Sequence, residues 1–272
     1  MTYQETSLVA AIDRLLAAHP GTDVLDNLDQ FHIGGAAAVD KLIASLALSE
    51  GDRVLDVGSG FGGPARQLAR RGYRVTGLDI TPAYVEAARH LTVPAGLVDF
   101  LAGDIATFTA DPPFAAAITM HVQMNVRSKT AWYSGIRRAL APGGRLAVWE
   151  VCQPGSAALN WPMPWSIDGS DSFLVSAETL RDAISGAGFA VGEWTNESGW
   201  VQDWLAAARD GGPLSGPALP MLLDDGYARV LNYVAALADG TLEVWRGSFT
   251  LLPRPGYGGG KVMPCSPRTI RT

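Results

Sequence analysis

Residues 54–63 read Val-Leu-Asp-Val-Gly-Ser-Gly-Phe-Gly-Gly, an apolar run that enters a glycine turn. Few folds accommodate such a segment. A buried strand has to end there, the chain has to turn tightly, and a helix has to follow. Closely spaced glycines give the backbone that freedom and let a ligand approach the main chain. Gly58, Gly60 and Gly63 satisfy the G-x-G-x-x-G spacing of a dinucleotide fold. A glycine turn that only ends a buried strand carries the same letters.

The pattern on either side decides the fold class. Up to about residue 50 the chain reads as helical: residues 6–18 stop at His19-Pro20-Gly21, and residues 36–48 are rich in Ala and Leu. From residue 53 strands alternate with helices. Strands are predicted at 53–57, 74–79, 97–101, 115–120 and 145–152, and helices at 62–71, 81–91 and 128–140. Thr81-Pro82 places a cap and a first-turn proline where a helix tolerates them. This alternation indicates βαβ units, a parallel sheet and helices on both faces, an α/β doubly wound fold. Residues 153–172 read as a loop, and Ser176 caps a helix ending at Gly186-Ala187-Gly188. Two late strands are predicted at 189–195 and 242–251, with helices near 200–209 and 218–238 between them. One domain is expected over 1–252, with a disordered Pro/Gly-rich tail at 253–272.

The chain has 272 residues, 47% apolar and 18% charged, enough to bury a substantial core. Its net charge is −6 and it has no Lys/Arg block, which argues against nucleic acid as a partner. Cys152 and Cys265 lie far apart, and no Cys or clustered His shows ligand spacing, so neither a disulfide framework nor a metal site is expected. The first residues make a poor signal peptide, and no apolar run approaches a membrane span. A cytoplasmic protein, monomer or homodimer, with no membrane partner is expected.

The acids around the turn separate the possible cofactors. With Asp56 the segment also reads D-x-G-x-G, the turn that holds S-adenosylmethionine. A dinucleotide would bring an anionic pyrophosphate beside this carboxylate, which would repel it. S-adenosylmethionine brings an ammonium and a sulfonium, which Asp56 attracts; alternatively Asp56 caps the turn's own amides. Asp79 ends the second strand at the spacing of a ribose-binding acid, with Ile80 placed to pack on an adenine ring. Asp79 could instead cap the helix at Thr81. Asp104 ends the third strand, where a carboxylate can accept from the adenine amine with Ile105 beside the ring. Leu140-Ala141-Pro142-Gly143-Gly144 is a turn into the fifth strand.

These spaced motifs together resemble the class I S-adenosylmethionine-dependent methyltransferases over roughly residues 28–195. The resemblance implies a seven-stranded sheet ordered 3-2-1-4-5-7-6 with the last strand antiparallel. Asp29 to Gly35, His121 to Val126 and Trp161 to Trp165 narrow it to small-molecule enzymes, similar to sarcosine/dimethylglycine-type N-methyltransferases and natural-product methyltransferases. It implies an N-terminal helical lid over 1–50 and an acceptor-side insertion and helix over 153–188. Phe31, Asp56, Gly58, Ser59, Gly60, Asp79, Ile80, Asp104, Ile105, Met120 and His121 would then contact the cofactor, with S-adenosylhomocysteine as product.

Methyl transfer from a sulfonium mainly requires an oriented nucleophile and excluded water. His121, just after the fourth strand, is a candidate general base or a contact to cofactor or lid. Glu150 is expected to end the fifth strand and face the crevice, as an acceptor for an amine or indole N–H or as a salt-bridge partner. His32, Gln123, Trp161 and Trp165 are the candidate acceptor-binding residues. Aromatic walls suit an aromatic, terpenoid or amine acceptor, although Trp149, Trp194, Trp200 and Trp204 can equally be core. Nothing in the sequence places Tyr3 or Tyr133 at the acceptor. Nitrogen or carbon methylation is expected, with O-methyl transfer and an NAD(P)-dependent oxidoreductase as the alternatives.

Overall fold

A computed structural model describes residues 8–18, 30, 32–92, 96–209 and 222–253. Helices α1 (Leu8–Ala18) and α2 (Gly35–Ala44) precede β1 (Arg53–Val57). Then come α3 (Gly63–Arg70), β2 (Arg74–Asp79), α4 (Pro82–His90), β3 (Val98–Ala102) and β4 (Phe114–Met120). The second half runs α5 (Lys129–Ala139), β5 (Leu140–Cys152), α6 (Ala177–Gly186), β6 (Phe189–Asn196), α7 (Ser198–Arg209), α8 (Gly226–Ala238) and β7 (Glu243–Leu251).

The strands form one seven-stranded sheet in the order β3-β2-β1-β4-β5-β7-β6, as the resemblance implied. The first five strands run parallel, and β7 lies antiparallel between β5 and β6. Side chains alternate across the sheet, as a period of two requires. Ala116, Ile118 and Met120 of β4 enter the core layer that holds α2, α3 and α8. Ala117 enters the opposite layer, with α5 and α6.

Two local expectations are corrected. The Pro142-Gly143-Gly144 turn lies inside β5, which starts at Leu140; the register with β4 shifts between Phe114 and Ala116 to absorb it. Thr81 heads α4 without a side-chain cap bond, because its hydroxyl turns to Asp79. Within the expected lid segment, Ala38, Val39 and Leu42 of α2 are fully buried in the main core. Helix α1 packs Leu8 and Ile12 against Phe61 and α4. The tail from residue 254 and the lid residues 19–29 lie outside the described residues.

Candidate cofactor and acceptor site

The glycine turn sits at the carboxyl end of β1, where open parallel sheets leave a crevice. Gly58 has φ 78° and Gly62 has φ 83°, a region that disfavours any side chain. A Cβ on Gly58 would lie 2.4 Å from Val122, and one on Gly62 would lie 2.3 Å from the Phe100 ring. Gly58 and Ser59 both donate their N–H to Leu78 O, tying the turn to β2.

Two buried carboxylates face this turn. Asp56 is 2% exposed; it accepts the main-chain N–H of Ala65 but leaves Oδ2 without a partner. Burial, then the charge of Asp79, pushes its pKa up to about 7. Asp79 is also raised, first by burial. Its Oδ2 accepts from Gly60 N and its Oδ1 from Thr81 N. The capping reading and the ligand reading coexist, because a carboxylate offers about four acceptor sites and these bonds use only some of them. Ser59 Oγ is buried and unpartnered beside them. Buried orphan acceptors and a hydroxyl around a side-chain-free cradle fit the ammonium and sulfonium of S-adenosylmethionine. They do not fit a pyrophosphate.

The residues expected at the adenine end differ in exposure. Ile80 is 69% exposed at the end of β2, an apolar surface with room for a ring. Asp104 is exposed, and its Oδ1 accepts from Ala106 N. Ile105 is corrected: its side chain is buried in the core layer with Leu78 and Tyr133, so only its main chain can face the crevice. Phe31 lies outside the described residues.

At the end of β4 the chain makes a strained step. His121 has φ 54°, a left-handed conformation uncommon outside glycine, while Val122 returns to the right-handed region. Successive amides in that arrangement form an anion nest. Here Glu150 fills it: Oε2 accepts from Val122 N at 2.9 Å and Gln123 N at 3.2 Å, and Oε1 accepts from the Thr119 hydroxyl at 3.0 Å. Glu150 is therefore corrected. It lies within β5, is 0% exposed, and holds the His121 step instead of facing the crevice. Burial pushes its pKa up to about 7 against the pull of these bonds. Gln123 is fully buried, its amide nitrogen donates to Val151 O and so braces β5, and its Oε1 is left without a partner. Lys129 Nζ bonds the carbonyls of Gln123, Val126 and Phe173 and completes the brace.

The brace aims His121 at a buried group of rings. His121 lies 6.1 Å from Tyr233, edge to face, and 6.2 Å from His32. Tyr233 in turn meets Trp165 at 5.5 Å. The Trp149 indole donates to Ile33 O, and this fixes His32 within the group. His121 Nε2 and the Tyr233 hydroxyl are buried without partners. Burial, then His32, lowers the His121 pKa well below its usual value, so the ring is a neutral acceptor. Burial likewise lowers His32 to about 4, and His32 Nε2 sits 3.1 Å from Gly35 O.

Met120 lies buried just before His121. Trp165 is buried in this group with its indole on Ser172 Oγ, whereas Trp161 is half-buried over Gly169. Trp149 and Trp200 are core partners, Trp194 stacks on Trp245, and Tyr133 is buried on the opposite side of the sheet. The sequence reading missed Tyr233. Its signal was a tyrosine on the apolar stripe of a helix, in phase with Ala236 and Leu237.

The strand order and the glycine turn are those of the class I S-adenosylmethionine-dependent methyltransferase fold. Residues 55–148 match the family described as Methyltransferase domain. A sterol 24-C-methyltransferase of Eremothecium gossypii is 32% identical over 159 residues, 53% of this chain and 42% of that protein. Methyltransferase phqN of Penicillium fellutanum is 36% identical over 156 residues, 53% of this chain and 48% of that protein. The chain thus spans less than half the length of these relatives. The crystal structure of the [4+2]-cyclase SpnF superposes with a TM-score of 0.63 at 25% identity, covering 92% of this chain and 94% of that one. The matched segment 55–148 contains the glycine turn, and the sheet around it has the strand order of the class I S-adenosylmethionine-dependent methyltransferase fold. Among the described residues no helix is long and apolar enough to cross a membrane, and no group of His, Cys, Asp and Glu could hold a metal.

Proposed function

We propose that this chain transfers a methyl group from S-adenosylmethionine to a small-molecule acceptor, an amine, indole or other aromatic or terpenoid natural product. Nitrogen or carbon is the methylated atom, ahead of a hydroxyl or carboxyl oxygen. The reading takes residues 1–252 as one domain and places the protein in the cytoplasm.

The observation that carries it is the His121 step. A strained residue directly after β4 is held by Glu150 and presents an unpartnered imidazole nitrogen to a buried ring group. Two orphaned polar atoms in a packed interior cost about 1–3 kcal/mol each, so the site is built for a ligand that supplies their partners. S-adenosylmethionine, when bound, would supply an electrophilic sulfonium methyl and leave as S-adenosylhomocysteine. Asp56 and Asp79 would hold its cationic and ribose ends. Ser59 would bond it beside them. The rings of His32, Tyr233 and Trp165 exclude water and orient the acceptor. Neutral His121 accepts a proton from an acceptor that loses one on attack.

The likeness to a cyclase favours a second reading, in which the same pocket encloses an apolar substrate and the cofactor stays intact. Incubation with methyl-labelled S-adenosylmethionine and a panel of amines, indoles and prenyl compounds separates the two. Label in an acceptor product, with S-adenosylhomocysteine released in equal amount, is the expected result. A rearranged product with no label would transfer the argument to the cyclase reading.

A further inference from the structure

The inward stripe of α8 is Gly226, Arg229, Tyr233, Ala236 and Leu237. Arg229 is out of place on it. It is only 4% exposed, yet no carboxylate among the described residues pairs with it. Its Nε donates to Asp224 O at 2.8 Å, which folds the guanidinium back over the first turn of its own helix. Its Nη1 is buried there without a partner. Asp225, the residue that heads α8, gives no side-chain bond to the first-turn amides, and the side chains of Asp224 and Asp225 are exposed.

A buried guanidinium without a counter-charge is unfavourable, and the positive end of the helix dipole makes it more so. An oxyanion relieves both at once, and the planar fork of Arg suits a carboxylate or a phosphate. Arg229 and Tyr233 share one face four residues apart, about 6 Å of helix rise. Tyr233 faces His121 at 6.1 Å. The same helix is pinned to the loop after β5 by Asn232, which donates to Pro162 O at 3.0 Å.

We propose that Arg229 and the first turn of α8 form an oxyanion subsite of the acceptor pocket. The acceptor then carries a carboxylate or phosphate about one helical turn from the end that meets His121 and Tyr233. This deepens the methyltransferase reading and rests on its placement of the acceptor.

Thermal shift on the full chain saturated with S-adenosylhomocysteine, at constant ionic strength, tests it with benzoate, benzamide and inorganic phosphate. Benzoate or phosphate should raise Tm saturably, and benzamide should not; the stronger of the two anions identifies the group. Arg229→Met should abolish that rise while keeping the ligand-free Tm and the shift caused by S-adenosylhomocysteine. Arg229→Lys, which keeps the charge without the fork, should need about tenfold more anion. Equal protection by benzamide and benzoate, or an undiminished anion shift in Arg229→Met, would overturn the proposal. So would an Arg229→Met chain that does not fold, because the guanidinium would then be structural. A wild-type chain with no shift from S-adenosylhomocysteine would instead count against the methyltransferase reading itself.

Discussion

The Asp79 carboxylate accepts the main-chain N–H of Gly60 at 2.9 Å, so the end of β2 holds the turn that follows β1. With its other oxygen on Thr81 N, Asp79 keeps spare acceptor capacity for a ribose. Asp79→Ala should weaken S-adenosylhomocysteine binding by about 1 kcal/mol or more, since a buried pair loses its acceptor and the turn loses a tie. Calorimetry measures this, and an unchanged affinity would remove Asp79 from the site.

Asp56 predicts a pH dependence. Its pKa in the ligand-free fold is raised from 3.8 to about 7. The fold therefore binds more protons than the unfolded chain in that window, and the Asp56 contribution to stability falls as pH rises through it. A cationic ligand favours the ionised form, so binding releases a proton. Affinity for S-adenosylmethionine should rise with pH up to about 7 and then level off. Asp56→Asn should flatten that rise, and a profile unaltered by the substitution would exclude Asp56 from the cation contact.

His121 and Tyr233 separate into roles by kinetics. If the acceptor loses a proton on attack, His121→Ala should lower kcat by about 10²–10⁴-fold with little change in cofactor affinity. Tyr233→Phe should raise KM for the acceptor more than it lowers kcat, because it removes one orienting hydroxyl. A His121→Ala chain that loses cofactor binding alone would make the histidine a cofactor contact.

Glu150 acts through the main chain. Glu150→Ala leaves Thr119 Oγ, Val122 N and Gln123 N without their acceptor, and should cost about 3 kcal/mol of stability or more. Glu150→Gln keeps acceptor capacity on one oxygen and should cost less. Denaturant unfolding checks both, and a wild-type midpoint for Glu150→Ala would contradict the brace.

The sequence made legible whatever depends on local spacing. The glycine turn, the strand-end acids Asp56, Asp79 and Asp104 and the strand–helix alternation are each read within a few residues, and the structure sets the acids at the carboxyl ends of β1, β2 and β3. What it hid depends on contacts between distant segments. Glu150 looked like a strand-end acid facing the crevice because its partners, Thr119, Val122 and Gln123, lie some 30 residues earlier. Ile105 follows Asp104 in sequence, but its side chain enters the core layer on the other side of the sheet, which only the turn geometry decides. Tyr233 was hidden because it lies far along the chain from His121, and only the folded sheet brings the two rings together.

The central claim is that the glycine turn between Asp56 and Asp79 holds the methyl donor. Titration calorimetry of the chain with S-adenosylhomocysteine, and separately with NADH, tests it most directly. One saturable site for S-adenosylhomocysteine, weakened by Asp79→Ala, and no heat with NADH is the predicted result. Saturable binding of NADH with none of S-adenosylhomocysteine would contradict it.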